Sequence, residues 1–172
     1  MKYLFAPLAV ACMVAAVVAA PALAAEPAGN GGPFDSVTGS MQRFNLAPFS
    51  TEQVDGIVSA HQSPQGGAHG MFTLRNEGNG LDYTGDVTCI NAIGNRAVIG
   101  IRFTKSNSAR FPVGGGQFVF FVDNGPPSAV NPQRDAFSPG PPLAKAPTEC
   151  TLLLPDFTRP FISANFVIHD GS

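Results

Sequence analysis

Two cysteines in the body of the chain, Cys89 and Cys150, are the residues whose chemistry the sequence defines best. The third, Cys12, lies in an apolar N-terminal stretch with the pattern of a cleaved export signal. In the oxidising compartment to which such a signal leads, a pair of cysteines forms a disulfide by default. A redox or metal-binding pair needs a Cys-x-x-Cys motif or nearby His or Cys ligands, which the sequence lacks. We therefore predict a structural Cys89–Cys150 disulfide that adds about 4 kcal/mol to the free energy of unfolding.

The histidines are His61, His69 and His169, and the first two flank a turn at 63–67. If two strands pair across that turn, these two imidazoles lie close together at its mouth. Two imidazoles at cross-strand distance can bind a transition metal. Because no third ligand is evident, His61 and His69 are weak metal candidates, and we expect no metal and no other cofactor.

No motif for an activated nucleophile occurs in the chain. The Gly-x-Ser-x-Gly pattern is absent, although a Ser-His-Asp triad needs no adjacency in sequence. Asp82 and Asp86 share a strand face, but four residues at about 3.3 Å each separate them too far for an acid/base dyad. Asp123 and Asp135 flank a proline-rich stretch and could meet in space, but without the spacing of an EF-hand calcium loop. We assign no catalytic residue and favour a non-enzymatic role.

The N-terminus is typical of a Sec-type signal peptide. Lys2 precedes an apolar run at 3–20, and Ala22-Leu23-Ala24 has the small residues of a cleavage site. A transmembrane anchor is the alternative, since about 18 apolar residues can span a bilayer, but no basic stop-transfer residues follow. We predict a signal peptide at 1–24, a flexible leader at 25–33 and a single β domain at 34–172. The expected location is periplasmic or secreted, with no membrane anchor after cleavage.

Charge is scarce in this chain. Only 13% of its 172 residues are charged, where about 25% is usual, and the net charge is −2. Basic residues are scattered and form no stripe beside aromatics, so we expect no nucleic-acid partner. The 19 glycines and 14 phenylalanines of such a weakly charged chain favour β-structure.

The clearest secondary structure is a hairpin at 83–103. Its second strand alternates between an apolar face and a face that carries Arg96 and Arg102. Gly94-Asn95 supplies a tight turn between the two strands. On the first strand, Val87 and Cys89 alternate with polar residues, so Cys89 is expected to point inward.

Other short runs also predict strands, separated by Gly, Pro, Ser or Asn. The strand at 117–123 is apolar on both faces, which predicts that a loop or a ligand covers its second face. Seven prolines at 124–149 exclude a central strand or a helix there, so we place only a short edge strand near 135–138 in this loop. A capping-box pattern at 50–53 predicts at most one helical turn. The remaining predicted strands lie at 37–44, 54–61, 69–74 and 161–170.

This pattern predicts an all-β fold, an antiparallel sandwich or an up-and-down barrel of about 7–8 short strands with one disulfide. The strands follow one another mostly in hairpin order, which both architectures allow.

Three motifs stand close together in the middle of the chain: GDVTC at 85–89, GNRAVIG at 94–100 and FVFFVDNGPP at 118–127, with Asp135 beyond them. In these the chain resembles a family of small exported bacterial proteins of uncharacterised function. The similarity covers about 67–138, and the proline-rich stretch at 124–149 departs from it. The resemblance implies a bacterial origin and a β-framework, and it brings no catalytic residue, cofactor or substrate with it.

We predict a secreted, non-catalytic β domain that acts in binding or at the cell envelope. The alternative is a lipocalin-like carrier of a small apolar ligand, because eight strands can enclose one small molecule. A cavity of about 300–1,000 Å³ behind the strand at 117–123 would favour the carrier, and a filled core would oppose it. A hydrolase is the least favoured of the three; it would require histidines that converge with Ser and Asp in a cleft.

Overall fold

The structure, a computed structural model, describes residues 34–46, 50–52, 54–126, 135–151 and 159–171. Side chains are described for all of these except 43–52 and 159–163. The predicted signal peptide, the leader and the middle of the proline-rich loop lie outside the described residues. Within the described ranges there is no helix long and apolar enough to cross a membrane.

A single antiparallel sheet contains every strand of the described chain. The strands are β1 (Ser36–Leu46), β2 (Ser50–Glu52), β3 (Val54–Gln62), β4 (Ala68–Asn76), β5 (Leu81–Ile93), β6 (Arg96–Ser106), β7 (Gly116–Val122), β8 (Ala136–Leu143) and β9 (Arg159–His169). From β3 to β9 each strand pairs with the next, and β9 pairs back onto β1, so the sheet curls until its sides meet. The all-β, antiparallel, up-and-down class with one disulfide is confirmed.

The β5–β6 hairpin shows how the alternation of residues builds the core. Ile99 and Ile101 of β6 are fully buried inside the curled sheet, whereas Arg96 and Arg102 are exposed on its outer face. The turn forms as predicted at residues 94 and 95, with a left-handed φ of 58° at Gly94, a conformation that glycine adopts without steric cost.

The prediction that Cys89 points inward is wrong. The pairing of β5 with β6 shifts register between Val87 and Cys89, which is a β-bulge. A bulge inserts one unpaired residue and so reverses the alternation beyond it. Val87 packs in the main core, but Cys89 lies on the outer face above Gly100, bonded to Cys150 with a Cα–Cα distance of 5.5 Å.

A second, smaller core therefore lies on the outside of the sheet. Residues 144–151, which we call the covering segment, run across the outer face of β6 and β7 and end in the disulfide. Cys89, Val98, Phe120 and Cys150 are buried together there, with Phe118 packed against them. The strand predicted to be apolar on both faces is thus covered by a loop on its outer face, while Val119 and Phe121 fill the inside.

The strand predicted at 135–138 exists but is longer, because β8 continues through Pro139, Pro141 and Pro142. Its prediction as an edge strand is wrong, because β8 lies between β7 and β9. It pairs with β7 along most of its length, and with β9 only at Ala136 and Phe137. The prolines come after the part of β8 that pairs on both sides. At the prolines only β7 pairs with β8, so no second strand needs an N–H donor from them.

The capping-box pattern at 50–53, for which at most one helical turn was predicted, does not start a helix at residues 50–52. Ser50–Glu52 is strand β2, whose register pairs it with the end of β1 at residues 44–46. An isolated turn fixes several dihedrals for one hydrogen bond, whereas the adjacent strand offers ladder partners at once.

Candidate functional site

The middle of the curled sheet is filled by aromatic side chains. Phe72 stacks on Phe137 at a centroid distance of 6.1 Å, and Phe121 meets Phe166 edge to face at 5.0 Å. All four rings are buried within one continuous cluster. The interior behind β7 is therefore packed with side chains.

A cavity of about 200 Å³ lies at one end, where β4 ends and β5 begins; we call it the end pocket. Its walls are apolar and come from strands β3, β4, β5 and β8 and from the loop after β6. The side chains that form these walls are Val54, Leu74, Leu81, Phe111, Phe137, Pro139 and Pro142.

Two polar side chains of the end pocket, Tyr83 and Gln117, are held by each other. The Tyr83 hydroxyl donates a hydrogen bond of 3.0 Å to Gln117 Oε1, and Gln117 Nε2 donates to the carbonyl oxygen of Gly140. Burial raises the pKa of Tyr83 far above its ordinary value, so the phenol stays neutral. The pocket thus has a neutral polar element whose orientation is already fixed before any ligand arrives.

Arg110 is the one charged residue among the described residues that line the end pocket. It is exposed, and its guanidinium carbon lies 5.7 Å from the centroid of the Phe111 ring. Phe111 in turn stacks on Tyr83 at 5.2 Å. A shallower, more polar cavity of about 330 Å³ shares Leu81, Arg110 and Phe111 with it. The Arg110–Phe111 pair therefore borders both cavities.

The histidines lie elsewhere, on the outer face near the opposite end of the sheet. The β3–β4 hairpin forms as predicted and pairs His61 directly with His69, with ring centroids 5.7 Å apart. Ser59 Oγ lies 3.2 Å from His61 Nε2. No hydrogen bond joins a histidine to a carboxylate in the described parts of the chain, and this face of the sheet is exposed rather than a cleft. Nor do three His, Cys, Asp or Glu side chains come together there as a metal site.

The two aspartates that flank the proline-rich loop do meet, and both bind the backbone of β9. Asp135, which is 4% exposed, accepts hydrogen bonds from Phe166 N at 2.7 Å and from Asn124 N at 3.0 Å. Asp123 accepts one from Ile168 N at 3.4 Å. In the described part of the chain β8 pairs with β9 at only two residues, and at Phe166 and Ile168 these carboxylates accept the amide hydrogen bonds that a neighbouring strand would accept. Their observed role is structural.

Replacing Asp135 by Asn should lower the free energy of unfolding, and the loss should be larger at low pH than at neutral pH. Burial is the main cause that raises the pKa of Asp135 above its ordinary value of 3.8; the charge of Asp123 adds to it, and the two backbone hydrogen bonds oppose it. The folded state then holds this proton more tightly than the unfolded chain, so the contribution of Asp135 is fully present below its ordinary pKa and is lost as pH rises through the raised value. Asn cannot titrate and loses one acceptor oxygen, at a cost of about 1–3 kcal/mol.

Urea unfolding of both proteins between about pH 3 and pH 7 checks this prediction. The stability advantage of the wild type over Asp135→Asn should be largest at low pH and shrink as pH rises. An advantage that grows with pH would contradict it, because the ionised carboxylate would then be the form that the fold stabilises.

Comparison with known proteins finds no family model, no curated protein and no solved structure that matches this chain. The candidate sites therefore rest on the geometry alone. Sequence reasoning missed the end pocket, because its lining residues come from distant strands. One local sign was present: Arg110-Phe111-Pro112 places a lone aromatic beside a cation in a polar loop.

Proposed function

We propose that this chain is an exported, non-catalytic binding domain whose end pocket holds one small amphiphilic molecule, a single ring or short alkyl chain with an anionic group. The observation that carries the proposal is the combination in one pocket of apolar walls, a fixed neutral polar element and one cation at the rim. Such pockets, mostly apolar with a few placed polar groups, are the usual form of small-molecule sites.

The volume of the pocket limits the size of this ligand. Drug-sized ligands occupy about 300–1,000 Å³, whereas a cavity of about 150 Å³ suffices for benzene. At about 200 Å³ the end pocket suits one ring with a small substituent. It is smaller than the enclosed site expected of a lipocalin-like carrier, because the aromatic cluster of Phe72, Phe121 and Phe137 occupies the middle of the sheet.

The charge of the ligand follows from the lining. Among the described residues that line the end pocket none is acidic, and the guanidinium of Arg110 stands at its border. A carboxylate at one end of the ligand would pair with Arg110 while the apolar part lies against Phe111 and Leu81. Arginine favours this role because its planar fork of donors matches a carboxylate.

The proposed location of the protein is the periplasm or the exterior of a bacterial cell. The export pattern at 1–24 and the resemblance to small exported proteins support it, and the Cys89–Cys150 disulfide is compatible with an oxidising compartment. The ligand would then come from the medium or from a component of the cell envelope.

Titration with benzoate, followed by NMR shifts of Leu74 and Leu81 methyl groups, tests the proposal. We expect binding by the wild type and an affinity about fivefold lower for Arg110→Gln, the effect of losing one exposed ion pair of about 1 kcal/mol. Benzylamine, which has the same ring and the opposite charge, should bind more weakly than benzoate.

Arg96→Gln is the matched control, since Arg96 is exposed at the other end of β6 and lines neither cavity. This variant should bind benzoate as the wild type does. The proposal is wrong if benzoate, phenol and hexanoate at millimolar concentration all leave the pocket methyl groups unshifted, or if Arg96→Gln weakens binding as much as Arg110→Gln.

A further inference from the structure

All three histidines of the chain lie in one row across four neighbouring strands. His69 of β4 pairs with His61 of β3, His61 pairs with Ser36 of β1, and Ser36 pairs with His169 of β9. Directly paired residues project to the same face of a sheet. The next residue along β1, Val37, is fully buried in the core, so the row containing Ser36 faces outward.

Within this row, His61 and His69 are direct cross-strand neighbours, and their rings lie face to face. Their rings stack with an interplanar angle of 29° and a centroid separation of 5.7 Å. His169 is separated from His61 by the whole width of β1. One ion can therefore be shared by His61 and His69 without a change in the backbone, whereas His169 is two strands away.

A thioether stands beside this pair. Met71 follows His69 by two residues on β4, so its side chain projects from the same outer face. It is 47% exposed, although the main core has a methionine of its own in Met41, which is 1% exposed. Because Met71 is exposed on the outer face, packing of the main core does not explain why a methionine stands there.

We propose that His61, His69 and Met71 form a surface site for one copper ion in the Cu(I) state. Imidazole suits several transition metals, but a thioether is a soft ligand that selects Cu(I) over harder ions. The site has two imidazole nitrogen donors and one thioether sulfur. The nearest carboxylate, Asp86, pairs with Met71 from β5 and forms an ion pair of 3.0 Å with Arg102. A donor set of imidazole and thioether suits a soft monovalent ion better than Ca²⁺ or Mg²⁺. Nothing in it depends on the end pocket, which lies at the other end of the sheet.

Ser59 bears on which nitrogen of His61 binds the ion. Its hydroxyl lies 3.2 Å from Nε2 of His61 on the exposed face, and copper at that nitrogen would replace this contact. Because an exposed neutral hydrogen bond contributes little, Ser59→Ala should bind Cu(I) at least as tightly as the wild type.

Competition for Cu(I) against a chromophoric chelator, with ascorbate present to keep the metal reduced, tests the site on the purified protein. We expect His61→Ala and His69→Ala each to weaken Cu(I) binding by about tenfold or more. Met71→Leu keeps the volume of the side chain and removes the sulfur; it should weaken Cu(I) binding about tenfold and leave the weaker binding of Zn²⁺ unchanged. In the NMR spectrum Cu(I) should shift the Met71 methyl signal and leave that of Met41 in place.

His169→Ala is the matched control, because it removes the same side chain from the same row two strands away. It should leave the Cu(I) affinity unchanged. Equal losses in all three histidine variants would mean diffuse binding by surface imidazoles and would overturn the proposal. It also fails if Met71→Leu binds Cu(I) as the wild type does, or if the wild type does not compete with the chelator. Thermal melts identify any variant that fails to fold.

Discussion

Replacement of both Cys89 and Cys150 by serine should lower the free energy of unfolding by about 4 kcal/mol and detach the covering segment from the outer face. The bond joins residues separated by 61 positions, so its loss frees a long loop in the unfolded chain. It also fixes the end of the covering segment. The described part of this segment is held besides by the contacts of Ala146 and Pro147 with the outer face at Gly116 and Gly100, and by a hydrogen bond from Thr88 Oγ1 to the Pro147 carbonyl.

Two measurements separate the effects of the double serine variant. Urea unfolding gives the loss of stability, and limited trypsin digestion reports on the segment, because Lys145 is an exposed cleavage site within it. Faster cleavage at Lys145 is expected under conditions in which the rest of the sheet stays folded. Thr88→Val is the comparison: it removes the hydrogen bond to Pro147, keeps the disulfide and should cost about 1 kcal/mol. If the double serine variant melts and is cleaved like the wild type, the disulfide does not anchor this segment.

The second large effect is expected from Gly39→Ala, which acts on the seam where β9 closes the sheet against β1. A Cβ atom at residue 39 would lie 2.1 Å from the carbonyl oxygen of Asn165 and 2.9 Å from a ring carbon of Phe166. Backbone cannot yield as a flexible side chain can, and φ at Gly39 is 150°, where L-residues are rarely found. We expect a loss of about 3 kcal/mol or more, because both strain and a displaced strand contribute.

Gly66→Ala is the control for the conformational part of that loss. Gly66 also has a positive φ, 83°, but no atom lies within 4 Å of the position its Cβ would take. It should cost about 1 kcal/mol, the lower end of what a strained residue costs. Thermal or urea unfolding of both variants gives the comparison. Equal losses would show that the seam tolerates the extra atom and that strain alone accounts for the effect.

The sequence predicted what depends on neighbours along the chain. Period-two alternation gave β6 its inner and outer faces, and Gly94-Asn95 gave the turn before it. The same alternation failed at Cys89, because a bulge is one extra residue in one strand and leaves no mark in the residue types. The disulfide itself was predictable from the number of cysteines and the expected compartment, without knowledge of which face it lies on.

Features that depend on closure of the sheet could not be predicted from the sequence. The pairing of His61 with His69 follows from one hairpin, but the alignment of His169 with them needs the register between β1 and β9, strands that lie at the two ends of the domain. The end pocket is equally non-local, because Tyr83, Phe111 and Gln117 meet only after the sheet has curled. Long-range register is set by the sum of core contacts rather than by any one segment.

The aspartates at the β8–β9 seam also bear on how the protein behaves beside copies of itself. A strand edge with free N–H groups can accept a strand from another molecule, which begins edge-to-edge aggregation. Among the described residues β9 pairs with β8 at only two positions, and farther along the same side the amides of Phe166 and Ile168 are occupied by Asp135 and Asp123. An incoming strand would have to displace two carboxylates before its carbonyl groups could accept hydrogen bonds from these amides. The side chains that complete the sheet thus also keep a second chain from extending it at that edge.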